Sequence, residues 1–301
     1  MKALVTGAGG FVGQALVDHL EMSGDDVVGL DRIGGPDITD GAAVRDLVGR
    51  HRPDAVYHLA AVTHIGASWD APQEVFRINA EGTLNVLSAC AAAGVDRVLV
   101  VGSADEYGAV RPEDLPLSED APLRPLTPYG ASKVAAEYLA LQAFLGERLP
   151  VIRVRAFNHT GPAQSERFMI PGLARRIAAA ERDNSKEIPI GSLEPVRDFT
   201  NVADVVVAYR LLVERAEPGE VYNVCSGVGH SVAEVAEHLL GLARHAIELV
   251  PDPALVRPVE VPRLVGDNHR LREATGWSPA IAFEETLAAI LERWRAEVSA
   301  R

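Results

Sequence analysis

"KALVTGAGGFVGQALVDHL", residues 2–20, decides the fold. Its first apolar run, "KALVTG" (2–7), reads as a buried strand, and an amphipathic helix is expected over 11–22. Between them, "TGAGGFVG" (6–13) spaces its glycines as Gly-x-x-Gly-x-x-Gly. Gly7 permits the tight turn, Gly10 lets the backbone approach a pyrophosphate, and Gly13 permits close packing of helix on strand. A glycine-rich turn can be purely structural. This one has the strand–turn–helix context that dinucleotide binding requires, and Asp31 follows Gly13 by eighteen residues, near the ~20 expected of a ribose-binding acid. Asp31 would accept hydrogen bonds from the adenosine ribose, which favours NAD(H). Arg32 beside it suits a 2′-phosphate, so NADP(H) is the alternative cofactor.

The same rhythm continues outward. "DVVGLD" (26–31), "DAVYHLAA" (54–61), "DRVLVVGS" (96–103) and "LPVIRVRAF" (149–157) are rich in Val, Ile and Leu and read as strands buried on both faces. Amphipathic stretches around 40–51, 72–93 and 130–146 separate them. This alternation predicts an α/β protein of the Rossmann type, a doubly wound parallel sheet with right-handed crossovers. After Phe157 the alternation breaks. A helix over 170–183 and a short strand over 187–191 are expected, then a helix within 199–215 and a strand over 220–227 that return to the sheet. The expected division is 1–157 with 198–224 as the NAD(P)-binding domain, and 158–197 with 225–301 as a smaller lobe for substrate. The cleft between them is the expected site.

Composition narrows the function. The 301 residues carry a net charge of −13, which argues against nucleic acid as a partner because a polyanion would be repelled. No apolar run approaches the ~20 residues of a membrane helix, so no membrane association is expected. With a strand expected from Lys2, no signal peptide is expected. Two cysteines, Cys90 and Cys225, are too few for a disulfide framework or a zinc site; a reducing cytoplasm and no metal are expected.

"TPYGASK" (127–133) carries the chemistry. Thr127 can cap a helix, Pro128 suits its first turn, and Tyr129 and Lys133 stand one turn apart on one face. A lysine beneath a phenol favours the phenolate, and is expected to draw Tyr129 down from ~10. By itself such a pair reads more readily as an exposed Tyr–Lys couple. Together with "TGAGGFVG" and with Ser103 at the end of the fourth strand, it resembles the extended short-chain dehydrogenase/reductase family over essentially the whole chain. The resemblance implies a catalytic triad of Ser103, Tyr129 and Lys133. Ser103 would bind the reacting oxygen, Tyr129 would transfer its proton, and Lys133 would tune Tyr129 and hold the nicotinamide ribose. It also implies cofactor contacts from Phe11 and Val12, adenine contacts from Asp37 and Ile38, and further contacts from Leu59, Ala60 and Ala61. A homodimer built from the helices near 72–93 and 130–146 is implied as well.

The second half, in "RAFNHTGPAQSERFMIP" (155–171), "LEPVRDFTNVADVVVAY" (193–209), "VYNVCSG" (221–227) and "LVRPVEVPRLVGDNHRLREATGW" (255–277), looks like enzymes acting on GDP-mannose derivatives. The implied partner is a GDP-linked 4-keto-6-deoxy sugar. Arg197 and Arg257 are candidate phosphate clamps because a guanidinium fork grips phosphate bidentately, although a surface ion pair is the commoner fate of an arginine. Glu260 is a candidate for ribose hydroxyls and Asn158 for the sugar-phosphate. His159 reads as structural, and His64 as facing the cofactor region.

"GSADEYG" (102–108) separates two reactions within this group. A 4,6-dehydratase needs, beyond the triad, an acid and a base aimed at C5 and C6. By resemblance to dehydratases, a glutamate precedes by two the tyrosine that Tyr107 matches; here that position is Asp105, one methylene shorter. Treating the segment as strand-like, Asp105 shares the face of Ser103 and Glu106 points away. The expectation is therefore reduction of the 4-keto group of GDP-4-dehydro-6-deoxy-D-mannose to GDP-D-rhamnose, with 4,6-dehydration or 4-epimerisation as the alternatives.

Overall fold

A computed structural model describes residues 1–32, 35–63, 66–255 and 261–300. The expected rhythm is present. Strand β1 (Lys2–Thr6) leads to α1 (Phe11–Met22), β2 (Asp26–Leu30), α2 (Gly41–His51) and β3 (Ala55–His58). Next come α3 (Pro72–Phe76), a single π-turn over Arg77–Glu81, α4 (Gly82–Ala93) and β4 (Arg97–Val101). Helix α5 (Pro128–Glu147) and β5 (Val151–Ala156) follow. These five strands and β9 (Val221–Val224) form one parallel sheet in the order β2-β1-β3-β4-β5-β9. The order reverses between β1 and β3, and ligands of such sheets bind beyond the carboxyl ends of the strands at that switch point. Strands β1 and β3–β5 are buried along almost their whole length, which explains their unbroken Val/Ile/Leu composition.

The second half supplies β6 (Asn158–Thr160), α6 (Met169–Asp183), β7 (Glu187–Ile190), β8 (Val196–Asn201) and α7 (Val202–Arg215). After β9 come β10 (Gly229–Ser231), α8 (Val232–Gly241), β11 (Glu248–Pro251), β12 (Arg263–Leu264), α9 (His269–Thr275) and α10 (Phe283–Ser299). Strand β8 joins β10, β12 and β6, while β7 pairs with β11. Helices α6, α8 and α10 share a separate apolar core around Leu173, Ile177, Leu239 and Ile290.

Packing draws the two units less simply than a cut at 198 and 225. Strand β8 belongs to the lobe's small sheet, whereas Leu271 and Trp277 join the core of the large sheet beside Tyr209 and Tyr222. The Trp277 indole N–H also donates to the Asp204 carbonyl at 2.9 Å. Residues 269–277 thus pack with the cofactor-type sheet, because α9 lies against α7 and β9. Among the described residues, no helix is long and apolar enough to cross a membrane, and no cluster of side chains is suited to hold a metal ion.

Candidate active site

One cleft of about 1550 Å³ runs from the glycine turn across the sheet's switch point to the lobe. A single small-molecule site occupies roughly 300–1000 Å³, so this cleft has room for two ligands side by side.

Its floor begins at the turn between β1 and α1. The backbone N–H groups of Gly7 and Ala8 donate to the Leu30 carbonyl at 2.8 and 3.1 Å, and the Gly9 N–H donates to the Asp31 carboxylate at 2.8 Å. A Cβ on Gly13 would overlap the Gly7 carbonyl oxygen, so glycine is required for α1 to start this close to β1. The result is a helix N-terminus opening onto a cleft, with an acid at the end of β2. This fits the pyrophosphate and ribose of a dinucleotide. Gly7, Gly10, Phe11 and Val12 line the cleft here; Asp31, Arg32, Asp37 and Ile38 line its next stretch, and Leu59, Ala60 and Ala61 its far wall.

A chain of hydrogen bonds ties this floor to α5. The Ala60 N–H donates to the Thr6 hydroxyl at 3.2 Å, and that hydroxyl lies 2.7 Å from His58 Nδ1. His58 Nε2 lies 2.9 Å from the Thr83 hydroxyl, whose own proton goes to the Asn79 carbonyl at 2.6 Å. Thr83 must therefore accept from Nε2–H, and Nδ1 must accept from Thr6, which fixes the neutral tautomer. Burial pushes the fully enclosed His58 ring down to about 3, with the Lys133 charge adding to the effect. Asn79 sits in the π-turn and clamps both backbone groups of Val62 at 2.8 and 3.1 Å, while its amide donates to Ser132 at 2.9 Å.

Helix α5 carries the central pair. Thr127 accepts from the Gly130 N–H at 3.0 Å as the expected cap, and Pro128 stands in the first turn. Tyr129 and Lys133 are both buried and both line the cleft. Ser103, at the end of β4, hydrogen-bonds the Tyr129 hydroxyl and lies 3.2 Å from an Asp105 carboxylate oxygen. The ammonium of Lys133 donates to the Val101 carbonyl at 2.7 Å, and burial lowers it to about 8. The expected downward shift of the phenol by Lys133 is not met. Burial, and after it the Asp105 carboxylate, push Tyr129 well above its ordinary range. The phenol is thus held as a proton donor at neutral pH.

The two acids separate as expected, for a different reason. Residues Ala104–Glu106 form a 3₁₀ turn rather than strand, so the alternation of strand faces does not apply. Asp105 remains beside Ser103 in the cleft, whereas Glu106 is fully buried and folds back to accept the Ser103 N–H at 2.7 Å.

At the lobe end, Asn158 and Arg197 line the cleft; an Arg197 N–H donates to the Val196 carbonyl at 2.9 Å. Arg257, Glu260 and His64 lie outside the described residues. The His159 ring stacks on Phe11 at 6.2 Å between centroids and bonds the Phe157 carbonyl at 3.0 Å, which suits the structural reading. Sequence reasoning missed Arg167, Arg175 and Arg176, which also face the cleft. Arg175 pairs with Glu166 at 2.8 Å, while the half-buried Arg176 has an Nε without a partner among the described residues. Adjacent arginines on an amphipathic helix read as a solvated face, and only the packing of α6 against the cleft turns them inward.

Comparison with known proteins agrees with this geometry. A family model described as GDP-mannose 4,6 dehydratase matches residues 33–290. The chain is 38% identical to GDP-6-deoxy-D-mannose reductase of Pseudomonas aeruginosa, over 99% of this chain and 98% of that one. The solved structure of RMD from Pseudomonas aeruginosa complexed with NADPH superposes with a TM-score of 0.91 at 36% identity, covering 99% of this chain and 100% of that one. UDP-glucose 4-epimerase of Thermus thermophilus, in complex with NAD, gives 0.87 at 29% identity over 98% and 99% of the two chains. With a glycine turn, a buried Tyr–Lys pair and a serine meeting at one switch-point cleft, and relatives of this kind along its whole length, the chain belongs to the extended short-chain dehydrogenase/reductase family.

Proposed function

We propose that the chain reduces the 4-keto group of GDP-4-dehydro-6-deoxy-D-mannose to give GDP-D-rhamnose. The observation that carries this reading over dehydration is the burial of Glu106 away from the cleft, which leaves only Asp105 of the acid pair beside the triad. Dehydration needs two groups aimed at C5 and C6, whereas ketone reduction needs the triad and a hydride. The name of the Pseudomonas relative supports the same reaction.

When bound, the nicotinamide supplies the hydride for C4. The chain's own residues do the rest. Ser103 and Tyr129 hydrogen-bond the carbonyl oxygen and stabilise the charge that develops there. Tyr129, kept protonated by burial and by Asp105, passes its proton to that oxygen. Lys133, anchored to the Val101 carbonyl and following Ser132 of the Asn79 clamp, binds the nicotinamide ribose. Arg197 and Arg257, with Arg176 from α6, bind the diphosphate; Asn158 orients the sugar and Glu260 the ribose. Gly7, Gly10 and Asp31 hold the dinucleotide. Asp31, oriented by the Gly9 N–H, favours NAD(H), and Arg32 in the same wall, like the NADPH of the Pseudomonas structure, supports NADP(H) as the alternative.

A homodimer is the proposed assembly: Leu84 on α4 and Tyr138 and Leu145 on α5 are exposed apolar side chains on the helices expected to pair. Two buried, unbridged cysteines support a reducing cytoplasm.

The test is to supply the pure protein with each candidate substrate. Oxidation of NADH or NADPH with GDP-4-dehydro-6-deoxy-D-mannose, and none with GDP-mannose, is expected. Accumulation of a 4-keto-6-deoxy product from GDP-mannose would overturn the assignment in favour of dehydration.

A further inference from the structure

Beside the Ser103–Tyr129–Lys133 cluster lies a buried group of charges that the reaction does not touch. Glu106 is fully buried, and its side chain folds back over the turn so that Oε1 accepts the Ser103 N–H at 2.7 Å. The space it fills exists because residue 102 is glycine; a Cβ there would overlap Glu106 Oε1. The other oxygen, Oε2, is buried and receives no hydrogen bond from any described donor.

Among the described residues, no cation hydrogen-bonds Oε2. Arg155 Nε stands 3.8 Å from Glu106 Oε2 but donates to Glu137 Oε2 at 2.8 Å, and Arg155 Nη2 donates to Glu137 Oε1 at 2.7 Å. Arg155 Nη1 serves the Tyr107 hydroxyl and the Glu119 carbonyl at 3.0 and 2.8 Å. Arg153 donates to Glu137 Oε1 at 3.2 Å and to the Gly219 carbonyl at 2.7 Å, and Lys133 to the Val101 carbonyl at 2.7 Å. An ionised Glu106 would therefore keep an unbonded anionic oxygen in the interior, beside the Glu137 carboxylate that lies against the same Arg155 Nε. Both features are costly. A proton on Oε2 removes both, since it turns the oxygen into a donor toward Glu137 and cancels one of two like charges.

We infer that Glu106 is a neutral carboxylic acid, hydrogen-bonded through its proton to Glu137, and that it is the positioning residue that holds Ser103 at the reacting oxygen. The directions of titration agree: burial and then the Glu137 carboxylate push Glu106 up, while for Glu137 burial is outweighed by Arg155, Glu106 and Arg153 together, which hold its carboxyl below the usual range. The route of action is short. Glu106 fixes the Ser103 backbone, and Glu137 lies one turn beyond Lys133 on α5, so the acid pair pins the end of β4 to the helix that carries Tyr129.

The protonation rests on this geometry alone, whereas the positioning rests on Ser103 acting in the ketoreduction proposed above. Two measurements keep them apart. In the infrared spectrum at neutral pH, the carbonyl stretch of an un-ionised carboxyl is expected in the wild type and lost in Glu106→Gln; a difference spectrum without that band would overturn the inference whatever the enzyme's substrate. In kinetics, Glu106→Gln, which can accept from Ser103 and donate to Glu137 as the neutral acid does, should keep kcat within about twofold and leave the pH profile in place. Glu106→Ala should lower kcat by about tenfold or more, since even ~1 Å of misplacement can cost on the order of 100-fold, with cofactor KM little changed. In a Ser103→Ala background the same Glu106→Ala change should have no further effect. Equal losses in both backgrounds, or a pH profile displaced in Glu106→Gln, would sink the positioning role. Wild-type protein that turns over no keto sugar would sink the proposed function instead, and the infrared result would still stand.

Discussion

The Ser103 hydroxyl lies 3.2 Å from the Asp105 carboxylate, and the same hydroxyl bonds Tyr129, so a negative charge sits two links from the phenol. After burial, that charge is the strongest influence raising Tyr129. Reduction requires the phenol to be protonated. Asp105→Asn keeps the shape and removes the charge, so the phenol ionises at lower pH and the alkaline fall of kcat moves toward neutrality. At neutral pH the loss in kcat should stay within about tenfold, since hydrogen bonding is retained. A kcat–pH curve with its alkaline limb unmoved would show that Asp105 does not set the donor.

Gly13→Ala tests the cofactor floor. Its methyl would overlap the Gly7 carbonyl oxygen, which belongs to rigid backbone rather than to a movable side chain. The start of α1 must then move away from β1, withdrawing the N–H groups that face the cleft. Binding of NADH or NADPH, followed by the cofactor's fluorescence, should weaken by at least about tenfold, or ~1.4 kcal/mol. Cofactor affinity equal to that of the wild type would show that α1 can shift without disturbing the pyrophosphate cradle.

Much of this was legible in the sequence because buried parallel strands and amphipathic helices leave distinct periods. Thr127-Pro128 likewise announces a helix start, and the spacing of four between Tyr129 and Lys133 then puts them on one face. What was not legible depended on backbone geometry or on distant packing. The turn at Ala104–Glu106 is 3₁₀, so strand alternation gave a sound direction for Glu106 by an argument that does not hold there. Arg176 looks like any helix-surface arginine until α6 is laid against the cleft. Leu271 and Trp277 lie within a segment that otherwise reads as lobe, and only their packing against Tyr209 of α7 explains why they join the larger sheet. The high phenol of Tyr129 was missed because a nearby lysine was weighed and burial was not.

Arg155 tests the buried charges from the other side. Its guanidinium holds Glu137 bidentately and also serves Tyr107 and Glu119. Arg155→Met fills similar volume but leaves Glu137 one guanidinium, that of Arg153, in place of two, and an under-compensated buried carboxylate costs about 3–5 kcal/mol. Arg155→Lys should recover little of this, because one ammonium cannot reproduce the fork. Urea unfolding at neutral pH measures both. A loss below about 1 kcal/mol in Arg155→Met would mean that the cluster is far better hydrated than its burial indicates.

His58 gives the protein a defined weakness to acid. Its ring is neutral, enclosed, and hydrogen-bonded to Thr6 and Thr83 at 2.7 and 2.9 Å, and it resists protonation down to about 3. In the unfolded chain an imidazole takes its proton near 6.5. Above 6.5 both states are neutral and the contribution to stability is complete. As pH falls below 6.5 the unfolded chain binds a proton that the folded ring refuses, so stability declines until about pH 3, where the folded ring titrates as well. At about 1.4 kcal/mol per pH unit the interval amounts to ~5 kcal/mol. His58→Phe cannot titrate. At pH 8 it should be less stable than the wild type by about 2 kcal/mol, because the buried hydroxyls of Thr6 and Thr83 lose their partner. Its stability should then fall less steeply with acid, by one proton's slope between pH 6.5 and 3, so the two curves converge and cross. Urea midpoints at half-unit steps across that window decide the matter: parallel curves would show that the wild-type ring is already charged, or already open to water, in the folded protein.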